Sequence, residues 1–273
     1  WDAIRGKDFN YSLIFIGSYT DSRVVSLSND VFKRPFFNHY GLPSPGNPGD
    51  AFRTQEGKPI GSFYGYKYAG VNNDGKIMLW LRERDENGNI KRDAEGKLTE
   101  KRVAMLGSSK REEDKDFIGN GVPKVQLSLN NTFTYKGFDL SLFFRSYLGY
   151  DILNLKQMYY GVQAVPGVNL LTDAYGRNAH IKGEKEYCDY FLENGNFLKL
   201  DVVTLGYTFS GNNLPKFFKG LRVYASVKNA LTITSYRGYD PSQVSITGLE
   251  PGIEGKDAYP TARTFTFGVK VNF

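Results

Sequence analysis

The residue types that usually perform covalent chemistry are sparse in this sequence of 273 residues. His39 and His180 are the only histidines, and neither stands in a recognisable nucleophile or metal-binding motif. Cys188 is the only cysteine, which excludes an internal disulfide. The stretch NNDGKI at 72–77 is similar to part of a calcium loop, but the glutamate that closes such a loop would fall on Leu81. We therefore interpret 72–77 as a turn and predict no catalytic residue, metal or cofactor.

The charge pattern argues against a nucleic-acid partner. The formal net charge is +6, and the densest charged run, 82–116, contains ten basic and ten acidic residues. A balanced run is typical of a solvated surface, whereas phosphate binding requires a basic stripe. The sequence thus predicts a protein that does not bind nucleic acid.

Side chains suited to noncovalent binding recur at the spacing of β-strands. In KVQLSLNNTFTY at 124–135, apolar residues occupy positions 125, 127, 129, 133 and 135 of one parity, and polar residues fill the other parity. After a Lys136–Gly137 turn, the segment 138–148 repeats the pattern, with Arg145 and Tyr147 on its more polar parity. Because alternate strand residues point to opposite faces, each segment has an apolar face and a polar face.

Five further segments extend this pattern, and 19 Tyr, 20 Phe and 30 Gly also favour an all-β chain. The predicted strands are 9–19, 23–28, 197–209, 221–229 and 263–273. In 197–209 the apolar residues change parity. A β-bulge at Val202–Val203 would keep them on one face and leave Lys199 and Asp201 on the polar face.

The connections between these strands alternate in length. The short ones follow residues 19, 135 and 209, whereas the long ones are 29–123, 149–196 and 230–262. No stretch approaches the ~20 apolar residues of a membrane helix, but barrel strands alternate and have low average hydropathy. A soluble sandwich has no reason for the alternation, whereas an outer-membrane barrel has short periplasmic turns and long outer loops. We therefore predict an antiparallel transmembrane β-barrel section with a large extracellular loop region at 29–122.

Across most of residues 1–273, the sequence resembles the C-terminal part of SusC/RagA-type TonB-dependent outer-membrane transporters. The resemblance is carried, in family order, by GSFYGYKYAGV, NNDGKI, FIGNGVPK, NTFTYKGFDLSLFFRSYLGYDILN, NFLKLDVVTLGYTF, LRVYASVKNALTITSYRGYDPSQV and YPTARTFTFGVKVNF. It implies the last seven or so strands of a plugged barrel of about 22 strands. It further implies that Phe273, the last residue, is a barrel-assembly signal.

The resemblance also implies a location and a set of partners. The location is the outer membrane of a Gram-negative bacterium, crossed many times and in contact with its lipid. The partners are a SusD-like surface lipoprotein that acts as a lid, and a TonB complex that acts through segments upstream of this chain. The expected function is active import of oligomeric nutrients, either oligosaccharides or oligopeptides, without enzymatic activity. Two alternatives are a surface adhesin or carbohydrate-binding protein without transport, and a barrel-embedded hydrolase.

The strand directions predict which side chains line the upper part of the barrel. Those expected near the outer mouth are Lys124, Gln126, Arg145, Tyr147, Lys199, Asp201 and Lys228. The predicted substrate-binding residues are Arg145, Tyr147, Lys199 and Asp201 of the strands, with Tyr159, Tyr160 and Tyr175 of the 149–196 loop. The alternatives for the strand residues are a hydrated lumen or plug contacts. For the tyrosines they are lid contact or loop packing. An aromatic girdle at the short-turn rim is predicted for Tyr135, Phe138, Tyr207, Phe209 and Phe273.

Overall fold

The computed structural model describes residues 1–44, 48–164, 167–183, 185–209 and 217–273. Over these ranges the chain is all-β and mostly antiparallel, as predicted, with one short α-helix, α1 Leu155–Tyr160. The strands are β1 Asp2–Arg5, β2 Phe9–Tyr19, β3 Phe36–Gly41, β4 Asp50–Gln55, β5 Ser62–Gly65, β6 Tyr68–Val71, β7 Ile77–Arg82, β8 Arg102–Leu106, β9 Asp116–Asn120, β10 Val125–Tyr135, β11 Phe138–Leu148, β12 Asp151–Asn154, β13 Leu192–Asn194, β14 Phe197–Phe209, β15 Gly220–Thr234, β16 Ile253–Glu254 and β17 Thr264–Asn272. In the described ranges, no helix is long and apolar enough to cross a membrane.

The largest element is an open seven-stranded sheet in the order β1-β2-β10-β11-β14-β15-β17, with every pair antiparallel. β10 and β11 stay in register from Val125–Leu148 to Tyr135–Phe138. The two residues between them form the predicted turn, in which Lys136 adopts a positive φ of 48°. We call the end of the sheet that carries such short connections the short-turn end, and the opposite end the long-loop end.

The predicted strand at 23–28 is wrong. β2 instead pairs directly with β10, and the seventh strand of the sheet is β1, which pairs with β2 on its other side. The chain leaves the sheet after Thr20, and the backbone of Val24 exchanges hydrogen bonds with Lys58 and Gly57. Its polar groups are therefore satisfied away from the sheet. Short and long connections still alternate, because the β1–β2 connection is short as well.

The predicted bulge is present, but one residue earlier. Phe144 pairs with Leu200 and Phe143 pairs with Val202, so the extra residue of β14 is Asp201. Lys199 and Asp201 lie on the polar face as predicted, but Val202 joins them there beside Phe143. The carboxylate of Asp201 gains an ion pair with Arg145 at this position.

The two faces of the sheet differ as the parities predict. The apolar face carries large exposed side chains, among them Phe267 at 81% exposure and Val269 at 65%. A continuous exposed apolar surface of this kind suits contact with lipid rather than water. The opposite face, which we call the polar face, carries further apolar side chains that were not predicted there. Ile14 and Ile16 of β2 lie there opposite Asn130 and Ser128.

The long connections fold together into a second unit beyond the long-loop end of the sheet, which we call the head. It contains a four-stranded sheet β3-β4-β5-β9 and two three-stranded sheets, β6-β7-β8 and β13-β12-β16. Its core includes Phe52, Phe63, Leu79 and Leu81 with side chains of the 149–196 connection, such as Tyr187. The head is therefore built from separate connections that share one apolar core.

Aromatic side chains gather at the short-turn end, as predicted for a girdle. The ring centroids of Phe138 and Tyr207 are 4.6 Å apart, and those of Tyr207 and Phe209 are 4.7 Å apart. Phe273 contacts the rings of Phe217 and Phe218 at the same end. The rest of the connection between β14 and β15, residues 210–216, lies outside the described residues.

Candidate functional site

The predicted strand residues meet on the polar face near the long-loop end. Arg145 of β11 lies directly opposite Lys199 of β14, and Tyr147 lies opposite Phe197. A guanidinium nitrogen of Arg145 is 3.0 Å from Asp201, and the ammonium of Lys199 is 3.9 Å from the same carboxylate. Opposite charges therefore alternate across two neighbouring strands, and each charge has a partner.

Arg145 and Tyr147 present the accessible part of this cluster. The guanidinium of Arg145 lies 5.5 Å from the ring centroid of Tyr147 and 3.4 Å from its hydroxyl. The ring of Tyr147 packs edge-on against Phe197, with centroids 5.1 Å apart. Nε of Arg145 is buried and has no hydrogen-bond partner among the residues that the structure describes. The side chain as a whole is 25% exposed, so part of it can contact a ligand.

Lys199, by contrast, is enclosed. Its side chain has no exposed surface, and Nζ donates to Asp240 at 2.6 Å and to Ser242 Oγ at 2.8 Å. Burial raises the pKa of Asp240, but hydrogen bonds from Lys199 and Ser242 outweigh this effect and lower the pKa below its usual value. Lys199 therefore offers no surface to a ligand. Its charge is used to fix the Asp240 segment to the sheet.

The three predicted loop tyrosines have different environments. Tyr159 is 1% exposed in the head core, its hydroxyl donates to the carbonyl of Pro43, and burial raises its pKa to about 12. Tyr160 is half-buried and packs against the same core. Tyr175 is 70% exposed. Only Tyr160 and Tyr175 therefore present surface to a ligand, because Tyr159 is used in packing.

The residues missed by the sequence analysis belong to the connection 235–263, which follows β15. Besides Asp240, two residues of this segment form ion pairs: Glu254 with Lys156 of α1, and Arg237 with Glu193 of β13. The Asp240–Pro241 pair was the one available signal, since proline restricts the preceding residue to extended backbone. Asp240 is extended, with φ −158°, and it caps the following turn through Ser242 N. Its buried partner on β14 could not be inferred from spacing.

The remaining predicted motif is a hairpin turn. Asn72 Oδ1 accepts hydrogen bonds from the backbone nitrogens of Asp74 and Lys76. Gly75 adopts a φ of 80°, which favours glycine. The stretch 72–77 thus connects β6 to β7, as the interpretation of this stretch as a turn predicts.

Comparisons with known proteins agree with this architecture. No family model matches the chain. The chain is 29% identical over 304 residues to TonB-dependent receptor P3 of Formosa agariphila, in an alignment covering 99% of this chain and 27% of the relative. It is 27% identical over 279 residues to TonB-dependent receptor SusC of Bacteroides thetaiotaomicron, covering 98% of this chain and 25% of the relative. The chain thus spans about a quarter of the length of these curated relatives.

Solved structures of transporters are also similar to this chain. A structure of the RagAB peptide transporter matches with a TM-score of 0.72 and 21% identity, covering 100% of this chain and 28% of that chain. A structure of the RagAB peptide importer in the open-open state matches with a TM-score of 0.68 and 20% identity, covering 100% and 27%. At this level of identity the structural likeness concerns the fold.

The open antiparallel sheet, with its apolar outer surface and its head of long loops, defines a section of an outer-membrane β-barrel wall. The similarity to the curated receptors specifies the kind. Over nearly its whole length the chain is similar to curated TonB-dependent receptors, one of them SusC, and it shares the fold of the RagAB structures. These relatives are receptors and transporters rather than enzymes, in agreement with the prediction.

Proposed function

We propose that this chain forms part of the wall of a TonB-dependent importer in the outer membrane of a Gram-negative bacterium. The sheet crosses the membrane several times, and the complete receptor imports oligomeric nutrients. The observation that carries the proposal is the sheet itself, which exposes Phe265, Phe267 and Val269 on one face and polar groups on the other. The names of the curated relatives support the link to TonB.

The head is proposed to lie outside the cell. In outer-membrane barrels the long connections are extracellular and the short ones are periplasmic. The region 29–122 would then be an extracellular loop region, joined there by the connections 149–196 and 235–263. The short-turn end, with its aromatic cluster, would lie at the periplasmic rim.

Arg145, Tyr147 and Asp201 are proposed to contact the nutrient at the outer mouth, together with Tyr160 and Tyr175 from the head. Charged and aromatic side chains of this kind suit either an oligosaccharide or an oligopeptide. Lys199 and Tyr159 are proposed to act indirectly. Lys199 positions Asp201 and the 235–263 segment, and Tyr159 positions the loop that carries Tyr160.

Two partners are proposed from the relatives. One relative is named SusC and the solved neighbours are described as RagAB, so we propose a surface lipoprotein of the SusD type as a lid over the head. The TonB complex would act through parts of the receptor that this chain does not include.

Uptake by cells that carry the full-length receptor tests this function. We expect labelled oligosaccharides or oligopeptides to enter wild-type cells and not cells lacking the gene. Uptake should also stop when the proton-motive force is collapsed. Replacing Arg145 and Tyr147 with alanine should reduce uptake about tenfold or more, whereas Lys136→Ala at the short-turn end should not change it. Surface binding that persists without energy-dependent uptake would contradict import and favour the adhesin alternative.

A further inference from the structure

A groove lies on the apolar face of the sheet, in the half that ends in the short turns. Its volume is about 520 Å³, and its lining includes Leu205 and Tyr207 of β14, Ala225 of β15, and Phe267 and Val269 of β17. All five side chains have the parity that places them on the apolar face. The groove is therefore on the opposite side of the sheet from the candidate functional site.

The groove exists because Ala225 is small. This residue pairs with Leu205 on one neighbouring strand and with Phe267 on the other. Both partners extend well beyond a methyl group, and both are exposed, Leu205 by 51% and Phe267 by 81%. Along β15 itself, the nearest residues on the same face are Val223 and Val227, which are also larger. One residue therefore forms the floor of the groove, and a larger side chain at position 225 would fill it.

The side chains around the groove suit a hydrocarbon chain rather than a polar ligand, because the tyrosine hydroxyl is the one polar group among those named. In the proposed membrane location, this face of the sheet meets acyl chains. Inside a bilayer, burial gives an acyl chain no hydrophobic gain, since its surroundings are equally apolar. A lipid that prefers this groove must therefore gain from close packing in a preformed space and from charge at the level of its headgroup.

Lys219 provides such a charge. It precedes β15, and its backbone nitrogen extends the ladder by donating to the carbonyl of Asn272 at 2.8 Å. Its parity is that of Val223 and Ala225, so it belongs to the apolar face. The residue is exposed, and its ammonium forms no ion pair with the residues that the structure describes. The connection 210–216, outside those residues, contains no acidic side chain.

Aromatic rings mark the level at which Lys219 lies. Phe273, at the end of the neighbouring strand, stacks with Phe217 at a centroid distance of 6.0 Å and contacts Phe218 at 5.6 Å. In outer-membrane barrels, girdles of aromatic residues lie at the boundary between hydrocarbon and headgroups. In the proposed location, the ammonium of Lys219 is therefore at the height of the lipid phosphates on the periplasmic side.

The distance from Lys219 to the floor of the groove matches the depth of one leaflet. Lys219 precedes Ala225 by six residues, which corresponds to about 20 Å along an antiparallel strand. With a strand tilt of about 45°, this length spans about 14 Å of depth, close to half of the ~30 Å hydrocarbon core. A phospholipid whose phosphate contacts Lys219 can therefore place the far half of one acyl chain in the groove.

We propose that this groove holds one acyl chain of an anionic phospholipid of the membrane, with the headgroup at Lys219. An anionic headgroup is favoured over a zwitterionic one because it brings net negative charge to an unpaired ammonium. One basic residue near an anionic lipid surface is worth about 1 kcal/mol, or about fivefold in affinity. The inference rests on the membrane location given under the proposed function, and it does not depend on the class of nutrient.

Photolabelling of the full-length receptor in bilayer nanodiscs tests the site. The probe is phosphatidylglycerol with a diazirine in the half of one acyl chain that is far from the headgroup, and mass spectrometry identifies the labelled residues. We expect labelling of the groove to exceed labelling elsewhere on the apolar face about fivefold. Unlabelled phosphatidylglycerol should compete for the groove at about one-fifth of the concentration required of phosphatidylcholine with the same chains.

Ala225→Phe probes the groove itself. The added ring fills the floor, so the excess labelling of the groove should disappear. Leu231→Phe is the matched control, because it places a ring on the same face of β15 near the long-loop end, where Leu231 is 51% exposed. This variant should leave the labelling of the groove unchanged.

Lys219→Ala probes the charge. In this variant the two unlabelled lipids should compete equally for the groove. Its control is Lys270→Ala, which removes a lysine from the same end of the sheet but from the polar face, where Lys270 pairs with Arg222. The control should keep the preference for phosphatidylglycerol. Because Lys219 is exposed, its variant keeps the test valid even if Ala225→Phe folds poorly.

Several results would overturn the lipid site and leave the membrane location standing. These are even labelling of the whole apolar face, equal competition by the two lipids in the wild type, and labelling of the groove that Ala225→Phe does not reduce. A receptor that is dimeric as wild type and monomeric as Ala225→Phe would assign the groove to a second copy instead. An apolar face that takes no label from the bilayer would contradict the proposed membrane location itself.

Discussion

The sheet and the head bury opposite kinds of side chain. In the head, Phe63, Leu79 and Leu81 have no exposed surface, as in the core of a water-soluble domain. On the sheet, Phe267 is 81% exposed, whereas the charged Lys199 is completely buried. The head therefore follows the usual rule of apolar residues inside. In the sheet, the apolar face points away from the protein and the ion pairs lie on its inner side.

This difference shows that one chain is folded against two solvents. The head needs an apolar core of its own because water surrounds it. In the proposed membrane location the sheet needs no such core, because lipid would cover its apolar face and the backbone groups are paired along the ladders. The two regions meet at the buried Lys199–Asp240 pair, which joins β14 to the head.

The largest expected effect is that of removing an aromatic ring from the head. Phe63→Ala should destabilise the head by about 3 to 5 kcal/mol, because the cavity that it leaves cannot be filled. Phe267→Ala on the apolar face should cost much less, since lipid can occupy the vacated space. Both losses of stability can be measured by denaturant titration of the full receptor in vesicles, with the protease sensitivity of the loops as the readout. Equal losses of stability in the two variants would contradict the conclusion that the head and the apolar face of the sheet meet different solvents.

A charge placed on either face of one strand sharpens the same distinction. Phe267→Arg should cost about 2 to 4 kcal/mol, if the residue lies near the bilayer midplane. Its neighbour Thr266 points to the polar face, where Thr266→Arg should be tolerated with a much smaller loss. The folded fraction after refolding into vesicles, read from heat-modifiable gel mobility, gives both values. A larger loss for Thr266→Arg would mean that the faces are assigned the wrong way round.

The connection between the two regions should depend on pH. The pKa of Asp240 is lowered in the folded protein, so its stabilising charge is fully present above its unfolded pKa of about 4 and is lost as the pH falls below that value. A hydrogen bond to a charged group is worth about 1.5 to 3 kcal/mol, so hydrogen exchange in 235–263 should rise about ten- to a hundredfold in acid. The measured exchange rates are first corrected for the intrinsic exchange rate of the amides at each pH. Asp240→Asn should already exchange fast at neutral pH and respond little to acid.

The smallest effect concerns a polar residue within the apolar face. Asn131 is buried there, and its Oδ1 accepts from the hydroxyl of Tyr11 at 2.8 Å. Tyr11→Phe should cost about 1 to 3 kcal/mol, because it leaves this acceptor unsatisfied. Adding Asn131→Leu should recover most of the loss, as judged by the folded fraction in vesicles. No recovery in the double variant would show that the hydrogen bond is not the cause.

Local pattern predicted the sheet well. The predicted segments 9–19, 138–148 and 197–209 coincide with β2, β11 and β14. Strand parity and loop length are properties of short stretches, and the structure keeps them because each strand has one apolar face and one polar face. The strand at 23–28 failed because its backbone found partners in the head, which no local pattern reveals.

The candidate site was predicted only in part. The common face of Arg145, Tyr147, Lys199 and Asp201 follows from alternation together with the bulge. Their accessibility does not, because it depends on segments more than thirty residues away in sequence, such as the one that brings Asp240 onto Lys199. Tyr159 was treated like Tyr175 for the same reason, although packing separates them.

The sequence by itself determined the strand faces, the alternation of connections and the resemblance to one receptor type, because these depend on neighbouring residues and on the solvent that each face meets. Only the tertiary structure decided that the connections share one core and that Lys199 is enclosed. These features arise where segments distant in the chain compete for the same charges and the same space, and spacing along the chain carries no information about that competition.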